Sequence, residues 1–196
     1  MIEAFIGLAG VLVGSMITIS KDLWVSKLVR RREGSYSAIR LICILEEYAD
    51  KCIDVVCDDG TAYGQPAGRT ESGEEYNAPQ IAKPYPLEYP EDIAWRSIKE
   101  PLMHRALALT NKARSTDRRI DASAEHALPP EYEELFETRQ EGYAWLGLDA
   151  LGLADDLRKE FKIFAKSSAE LNGDWDPKAF LRGRLSQKQE RRSHRK

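Results

Sequence analysis

The chain begins, at residues 1–32, with MIEAFIGLAGVLVGSMITISKDLWVSKLVRRR, and this stretch decides the interpretation of the fold. Its residues from Ala4 to Ser20 form a run of 17 without a charge. At about 1.5 Å per residue, a helix of that length covers roughly 26 Å, slightly less than the ~30 Å hydrocarbon core of a bilayer. The run therefore predicts one membrane-spanning helix, with residues 2–20 in contact with lipid.

The charges around this run predict how the helix is oriented. Only Glu3 precedes the run, whereas one interfacial aromatic residue and five basic residues follow it: Lys21, Trp24, Lys27, Arg30, Arg31 and Arg32. Because basic flanks are retained on the cytoplasmic side, we expect the N-terminus outside and the bulk of the chain in the cytoplasm. A cleaved signal peptide is disfavoured, since a basic leading segment and an A-x-A-like cleavage site are missing. A buried or interfacial helix is the other alternative.

Three glycines in the run fall on one helical face: Gly7, Gly10 and Gly14. The last two form a G-x-x-x-G motif, a spacing at which two membrane helices approach closely. The motif predicts self-association of the anchor, and hence a homo-oligomer, although glycine is common in membrane helices for other reasons.

Composition leaves room for one further domain of ordinary size in this chain of 196 residues. Residues 33–177 carry a net charge of −13, and residues 178–196 carry +7. An acidic body makes nucleic acid an unlikely partner. The three cysteines, Cys43, Cys52 and Cys57, form no C-x-x-C pair, which is typical of reduced packing thiols.

Apolar residues recur at three- and four-residue steps through most of residues 33–177, which predicts helices and no credible strand. One helix should end at Asp58-Asp59-Gly60, a second should begin near Pro101, and a third should follow Pro129-Pro130. Gly34-Ser35 either breaks the first of these from the anchor or only bends one long rod. The predicted fold is all-α: an N-terminal transmembrane helix (1–32), a cytoplasmic helical bundle (33–177), and a basic C-terminal helix or tail (178–196).

Residues 60–90 differ, because glycine and proline interrupt them without any periodicity. Such a long Pro/Gly-rich loop is uncommon inside a compact domain. Its tyrosines and prolines either offer a polyproline II segment to a partner or pack over the helices, with Tyr85, Leu87 and Tyr89 as a belt. The second interpretation is favoured.

Motifs for catalysis or metal binding are missing from the sequence. The three histidines have no metal-ligand spacing, and there is no nucleophile motif or phosphate-binding glycine loop. Glu125-His126 followed by Glu131, Glu133 and Glu134 is one weak candidate for a cation or base site. Glutamates at a helix start already explain the pattern, and this interpretation is favoured. We expect no metal and no cofactor, and a small-molecule substrate cannot be named.

The C-terminal segment is basic and amphipathic. Asp176-Pro177 predicts its start, and Phe180, Leu181 and Leu185 share an apolar side. Its cations are candidates for contact with an anionic leaflet or partner: Lys178, Arg182, Arg184, Lys188, Arg191 and Arg192. A solvated tail, or a helix docked to the bundle through Phe180, is the alternative.

Three segments resemble parts of uncharacterised bacterial single-span membrane proteins that have a helical cytoplasmic region: EDIAWRSI (91–98), PEYEELFETRQ (130–140) and WDPKAFL (175–181). The resemblance implies a bacterial inner membrane and no particular activity. The function expected is that of a single-pass protein whose cytoplasmic domain serves interaction or scaffolding, with a protein partner or a second copy. The alternatives are a membrane-tethered enzyme or effector, and a basic-tail module that contacts anionic lipid or nucleic acid.

Overall fold

A computed structural model describes the backbone of residues 2–164 and 175–194, and the side chains from residue 20 onward except those of 189, 191, 192 and 194. Within these residues the fold is mostly helical, which confirms the all-α prediction. Its elements, in chain order, are α1 (Ile2–Cys57), β1 (Gly68–Arg69), β2 (Glu75–Tyr76), a 3₁₀ helix (Trp95–Ser97), α2 (Glu100–Glu125), α3 (Glu133–Phe161) and α4 (Pro177–His194).

The first helix is one uninterrupted rod of 56 residues. Gly34-Ser35 does not break it. A Cβ atom at Gly34 would lie 2.7 Å from Cε1 of Phe161 and 3.1 Å from the carbonyl oxygen of Ser97, so this glycine allows close packing. Residues 20–33 are exposed all round, and burial begins at Gly34. The predicted stop is confirmed: α1 ends at Cys57, and Gly60 follows with a φ of +77°.

The core lies mainly between α1 and α3, with α2 packed on α3. From α1 the core takes residues at three- and four-residue steps, as periodicity predicted, and these include Ile42, Leu45, Ala49, Ile53 and Val56. Two glycines allow other helices to approach α3. A Cβ at Gly142 would lie 2.5 Å from Cγ2 of Thr116 on α2. At Gly147 it would lie 2.9 Å from Cδ1 of Leu181 on α4.

Residues 60–90 wrap the helices. Strands β1 and β2 pair antiparallel as a small hairpin that the sequence did not predict, with Gly68 opposite Tyr76. Leu87 is buried, and the Tyr89 hydroxyl donates to the Ala106 carbonyl oxygen at 2.8 Å. Burial raises the pKa of Tyr89 well above its usual range. These two residues form the belt that was favoured, whereas Tyr85 is exposed.

The three cysteines of α1 predict a simple thiol experiment. Cys52 is buried and Cys43 and Cys57 are exposed, so two thiols should react in the native protein and the third only after unfolding. Partial burial raises the pKa of Cys57, while the nearby Arg184 charge opposes the shift. Because the thiolate is the reactive form, the rate at Cys57 should still increase steeply through pH 9, its ordinary value. Timed reaction with a chromogenic disulfide, using Cys43→Ser to isolate Cys57, measures this; a rate already constant below pH 9 would contradict it.

Candidate functional site

Residues 20–33 of α1 form an exposed surface that we call the basic collar. All five predicted cations are exposed there, and the Trp24 side chain is 69% exposed. Leu23, Val25, Leu28 and Val29 are also exposed. The collar therefore has no packing partner among the described residues, although it carries both charge and apolar area.

The anchor itself is described only in part. Gly7, Gly10 and Gly14 lie within the helical backbone of α1, but the side chains of residues 2–19 are outside the described part, so what surrounds these glycines is not described. Across the part of the chain that the structure describes, no helix combines the length and apolar character needed to cross a membrane.

The four C-terminal cations whose side chains are described, Lys178, Arg182, Arg184 and Lys188, have different surroundings. Lys178 pairs with Asp155, and the Lys188 ammonium donates to the backbone oxygen of Glu137. Arg184 lies over the Phe180 ring, 5.3 Å from its centre, and Arg182 is exposed. The side chains of Arg191 and Arg192 lie outside the described residues.

The predicted apolar side of α4 is largely occupied by the bundle. Leu181 is completely buried against α3, and Leu185 is 9% exposed. Asp176 caps the helix start, since its Oδ1 accepts from the N–H groups of Lys178 and Ala179 at 2.9 and 3.1 Å. The helix thus docks on the bundle mainly through these two leucines, with Phe180 half-buried beside them.

A cleft of about 1000 Å³ lies between the end of α1, the β1–β2 hairpin and the connection from α2 to α3. We call it the acidic cleft. Its lining includes seven acidic residues: Asp58, Asp59, Glu74, Glu75, Glu131, Glu133 and Glu134. His126, Tyr76, Tyr132 and Phe136 also line it. It thus contains His126, Glu131, Glu133 and Glu134 of the group considered from the sequence, but not Glu125, together with four acids that sequence reasoning did not place there.

One wall of the cleft is held by Asp58. Its Oδ1 accepts from the N–H of Gly60, and its Oδ2 from the N–H groups of Gln80 and Ile81, all at 3.0 Å. Arg139 of α3 lies 3.6 Å from Oδ2 and donates to the Ile81 carbonyl oxygen at 2.5 Å. Burial lowers the pKa of Arg139, and the Asp58 charge opposes that shift. Both side chains are buried, so this pair joins α1, the loop and α3.

Two further acids in the lining already have partners. The Asp59 carboxylate accepts from the backbone N–H and the hydroxyl of Thr61, at 2.9 and 2.8 Å, and these bonds lower its pKa. Glu75 pairs with Arg69 across the hairpin. The Ser123 hydroxyl, also in the lining, is buried and has no hydrogen-bond partner among the described residues.

The chemistry of the cleft favours cations in general, because carboxylates that share one concave surface create a negative potential. Among the described residues, no three His, Cys, Asp or Glu side chains are grouped closely enough to hold a metal ion. In the sequence, Asp58 and Asp59 before Gly60 indicated the end of a helix, but nothing indicated that they line a cleft. The hairpin acids lie in a loop without periodicity, so no signal placed them beside α3.

The chain matches no protein-family profile, no curated protein and no solved structure. Its function is therefore inferred from its own residues.

Proposed function

We propose that this chain is a single-pass protein of a bacterial inner membrane whose cytoplasmic helical bundle serves as an interaction or scaffolding domain. The observation that carries the proposal is the continuity of α1. One helix contains, in order, the uncharged run Ala4–Ser20, the exposed basic collar and the main helix of the core. The anchor is argued from the sequence of that run, because its side chains lie outside the described part.

The collar suits a position between a membrane and an acidic domain. From Lys21 to Gly34, where burial begins, α1 rises about 20 Å. That separation exceeds the Debye length of ~8 Å at physiological ionic strength, so the acidic bundle would feel little repulsion from an anionic leaflet. The collar cations would contact lipid phosphates, each contributing about 1 kcal/mol near the surface. Trp24 would lie at the interface, where aromatic residues are enriched.

A scaffolding role is supported by the continuous helix that joins the basic collar to the bundle. Beyond the collar, the bundle is held on a continuous helix and would stay at a fixed distance from the bilayer. Self-association through Gly7, Gly10 and Gly14 would then bring two bundles together.

In a membrane dimerisation reporter, Gly10→Leu and Gly14→Leu should reduce the signal, and an unchanged signal would contradict the assembly role.

Membrane attachment is tested by one charge placed at two depths. Leu12→Arg puts a charge at the centre of the uncharged run, which opposes insertion by about 2.5–3.5 kcal/mol. Because the run is short for a span, the variant should move from the carbonate-resistant membrane fraction to the supernatant. The matched control, Leu23→Arg, adds the same charge to the exposed collar and should stay in the membrane. Wild-type protein in the supernatant, or loss of both variants together, would overturn the anchor.

Topology is tested with the native cysteines. The first cysteine of the chain is Cys43, and both Cys43 and Cys57 are exposed on the bundle side of the collar. A membrane-impermeant maleimide should label neither residue in intact spheroplasts and both after permeabilisation. The variant Cys43→Ser/Cys57→Ser serves as the blank. Labelling of intact spheroplasts would place the bundle outside and contradict the proposed topology, without bearing on whether the chain is anchored.

A further inference from the structure

We propose that the acidic cleft is the docking site of the chain's own basic C-terminal end. Three contacts show that α4 runs antiparallel to α3. Lys178, at the start of α4, pairs with Asp155. Leu181 lies against Gly147, and the Lys188 ammonium reaches the backbone oxygen of Glu137. Thus residue numbers fall along α3 as they rise along α4.

This register directs the end of α4 toward the cleft. From Lys188, α4 continues for six residues to His194, which is about 9 Å of helix. From Glu137, α3 extends only four residues back to its first residue, Glu133, which is about 6 Å. The last turn of α4 is therefore level with the beginning of α3, where Glu131, Glu133 and Glu134 line the cleft. Gln140 lines both the cleft and the groove between α3 and α4, so the two are adjacent.

The charges of the two parts are complementary. After Lys188 the chain carries four more basic residues, Arg191, Arg192, Arg195 and Lys196, against the single acid Glu190. The cleft lining carries seven carboxylates, from the end of α1, the hairpin and the beginning of α3, and three of them, Asp58, Asp59 and Glu75, already have partners. A cationic segment between them relieves their mutual repulsion, as an opposite charge within a few ångströms does for any carboxylate cluster. The cleft is thus suited to a basic peptide, and the nearest one in the chain is the end of α4.

An anionic membrane is the competing occupant for the same cations. The described part of α4 argues against firm insertion, because Leu181 and Leu185 are already buried against the bundle. Two of the six predicted lipid-contacting cations, Lys178 and Lys188, are also engaged inside the molecule. Little apolar surface is then left on α4 to hold it in a bilayer, and the cleft is the better partner for the cations that follow.

Zero-length carbodiimide crosslinking of the full chain in detergent tests whether the C-terminal end contacts the cleft. The reagent joins an amine to a carboxylate only when the two are in contact. Lys196 supplies one amine, and Arg192→Lys adds another on the last turn of α4. The expected products are amides from these amines to Glu131, Glu133, Glu134 or the hairpin acids, found by peptide mapping. Their yield should fall several-fold in 0.5 M salt, as it does for exposed charge pairs.

Two internal controls and one matched variant make the result decisive. The pairs Lys178–Asp155 and Lys112–Asp149, the second at 2.6 Å, should crosslink in every variant at low salt. Arg182→Lys places an amine on the exposed side of α4 and should give no amide to the cleft. If the control pairs form and no tail-to-cleft amide appears, the proposal is overturned. It is equally overturned if Arg191→Glu/Arg192→Glu leaves the crosslinking from Lys196 to the cleft acids unchanged. Neither outcome depends on the membrane anchor, so failure here leaves the proposed function standing.

Discussion

Replacing Asp58 with alanine should lower the free energy of unfolding by about 3–5 kcal/mol, which is the usual cost of removing one partner of a buried ion pair. The variant removes the acceptor for three backbone N–H groups, those of Gly60, Gln80 and Ile81. It also leaves the Arg139 guanidinium buried without its carboxylate. Because a buried charge without a partner is costly in a low-dielectric interior, the loss should exceed that of a typical surface substitution several-fold.

Thermal unfolding followed by near-UV circular dichroism measures this effect, since the signal reports tertiary packing and not the helix content of α1. For a chain of this size, each kcal/mol shifts the midpoint by about 2–4 °C, so we expect a fall of roughly 10 °C. The matched control is Asp59→Ala, one residue away. Asp59 is exposed and its carboxylate accepts from the neighbouring Thr61, so its loss should lower the midpoint far less. Equal shifts for the two variants would show that Asp58 does not hold the wall of the cleft.

Asp58 also shows where prediction from the sequence ends. The pair Asp58-Asp59 before Gly60 correctly predicted the end of α1, because helix termination is decided by neighbouring residues. The partners of Asp58 lie 22, 23 and 81 residues further along the chain, at Gln80, Ile81 and Arg139. Contacts at such separations follow from how the helices pack, which periodicity does not specify. For the same reason, the glutamates near the start of α3 could be grouped from the sequence, whereas the hairpin acids that share the cleft with them could not.

The helices themselves were predicted well, because each buries one stripe at the helical repeat. The observed starts of α2 and α3 lie within a few residues of those expected from Pro101 and from Pro129-Pro130. What the pattern left open was the direction of α4 and the face that it covers. An amphipathic helix has the same periodicity whether its apolar side meets lipid or protein. In the structure, Leu181 and Leu185 are buried against the bundle. With α4 packed in this way, its basic end is directed toward the acidic cleft, as we propose above.

Gly147 and Gly152 provide a second test of packing, because they lie in the same helix but in different surroundings. Both lie inside α3, and either could have allowed a neighbouring helix to approach. In the structure only Gly147 does so: a Cβ there would lie 2.9 Å from Cδ1 of Leu181 and 3.3 Å from Cβ of Cys52. At Gly152 the nearest atom is the Nη2 of Arg105 at 3.8 Å, which is ordinary contact distance. The two positions should therefore respond to substitution with opposite signs.

Gly147→Leu should destabilise the bundle by about 1–3 kcal/mol, the usual cost of overpacking, and should push α4 away from α3. Gly152→Ala should instead stabilise it by roughly 0.5–1 kcal/mol, because alanine restricts the unfolded chain and favours helix without a clash. Urea unfolding gives both free energies, and the rate of tryptic cleavage after Arg182 and Arg184 reports whether α4 has left its groove. Since Leu181 both packs on Gly147 and sets the register of α4, the Gly147→Leu variant should also lose the amide between Lys196 and the cleft. Destabilisation with unchanged cleavage and unchanged crosslinking would mean that α4 is held by its ion pairs and not by this contact.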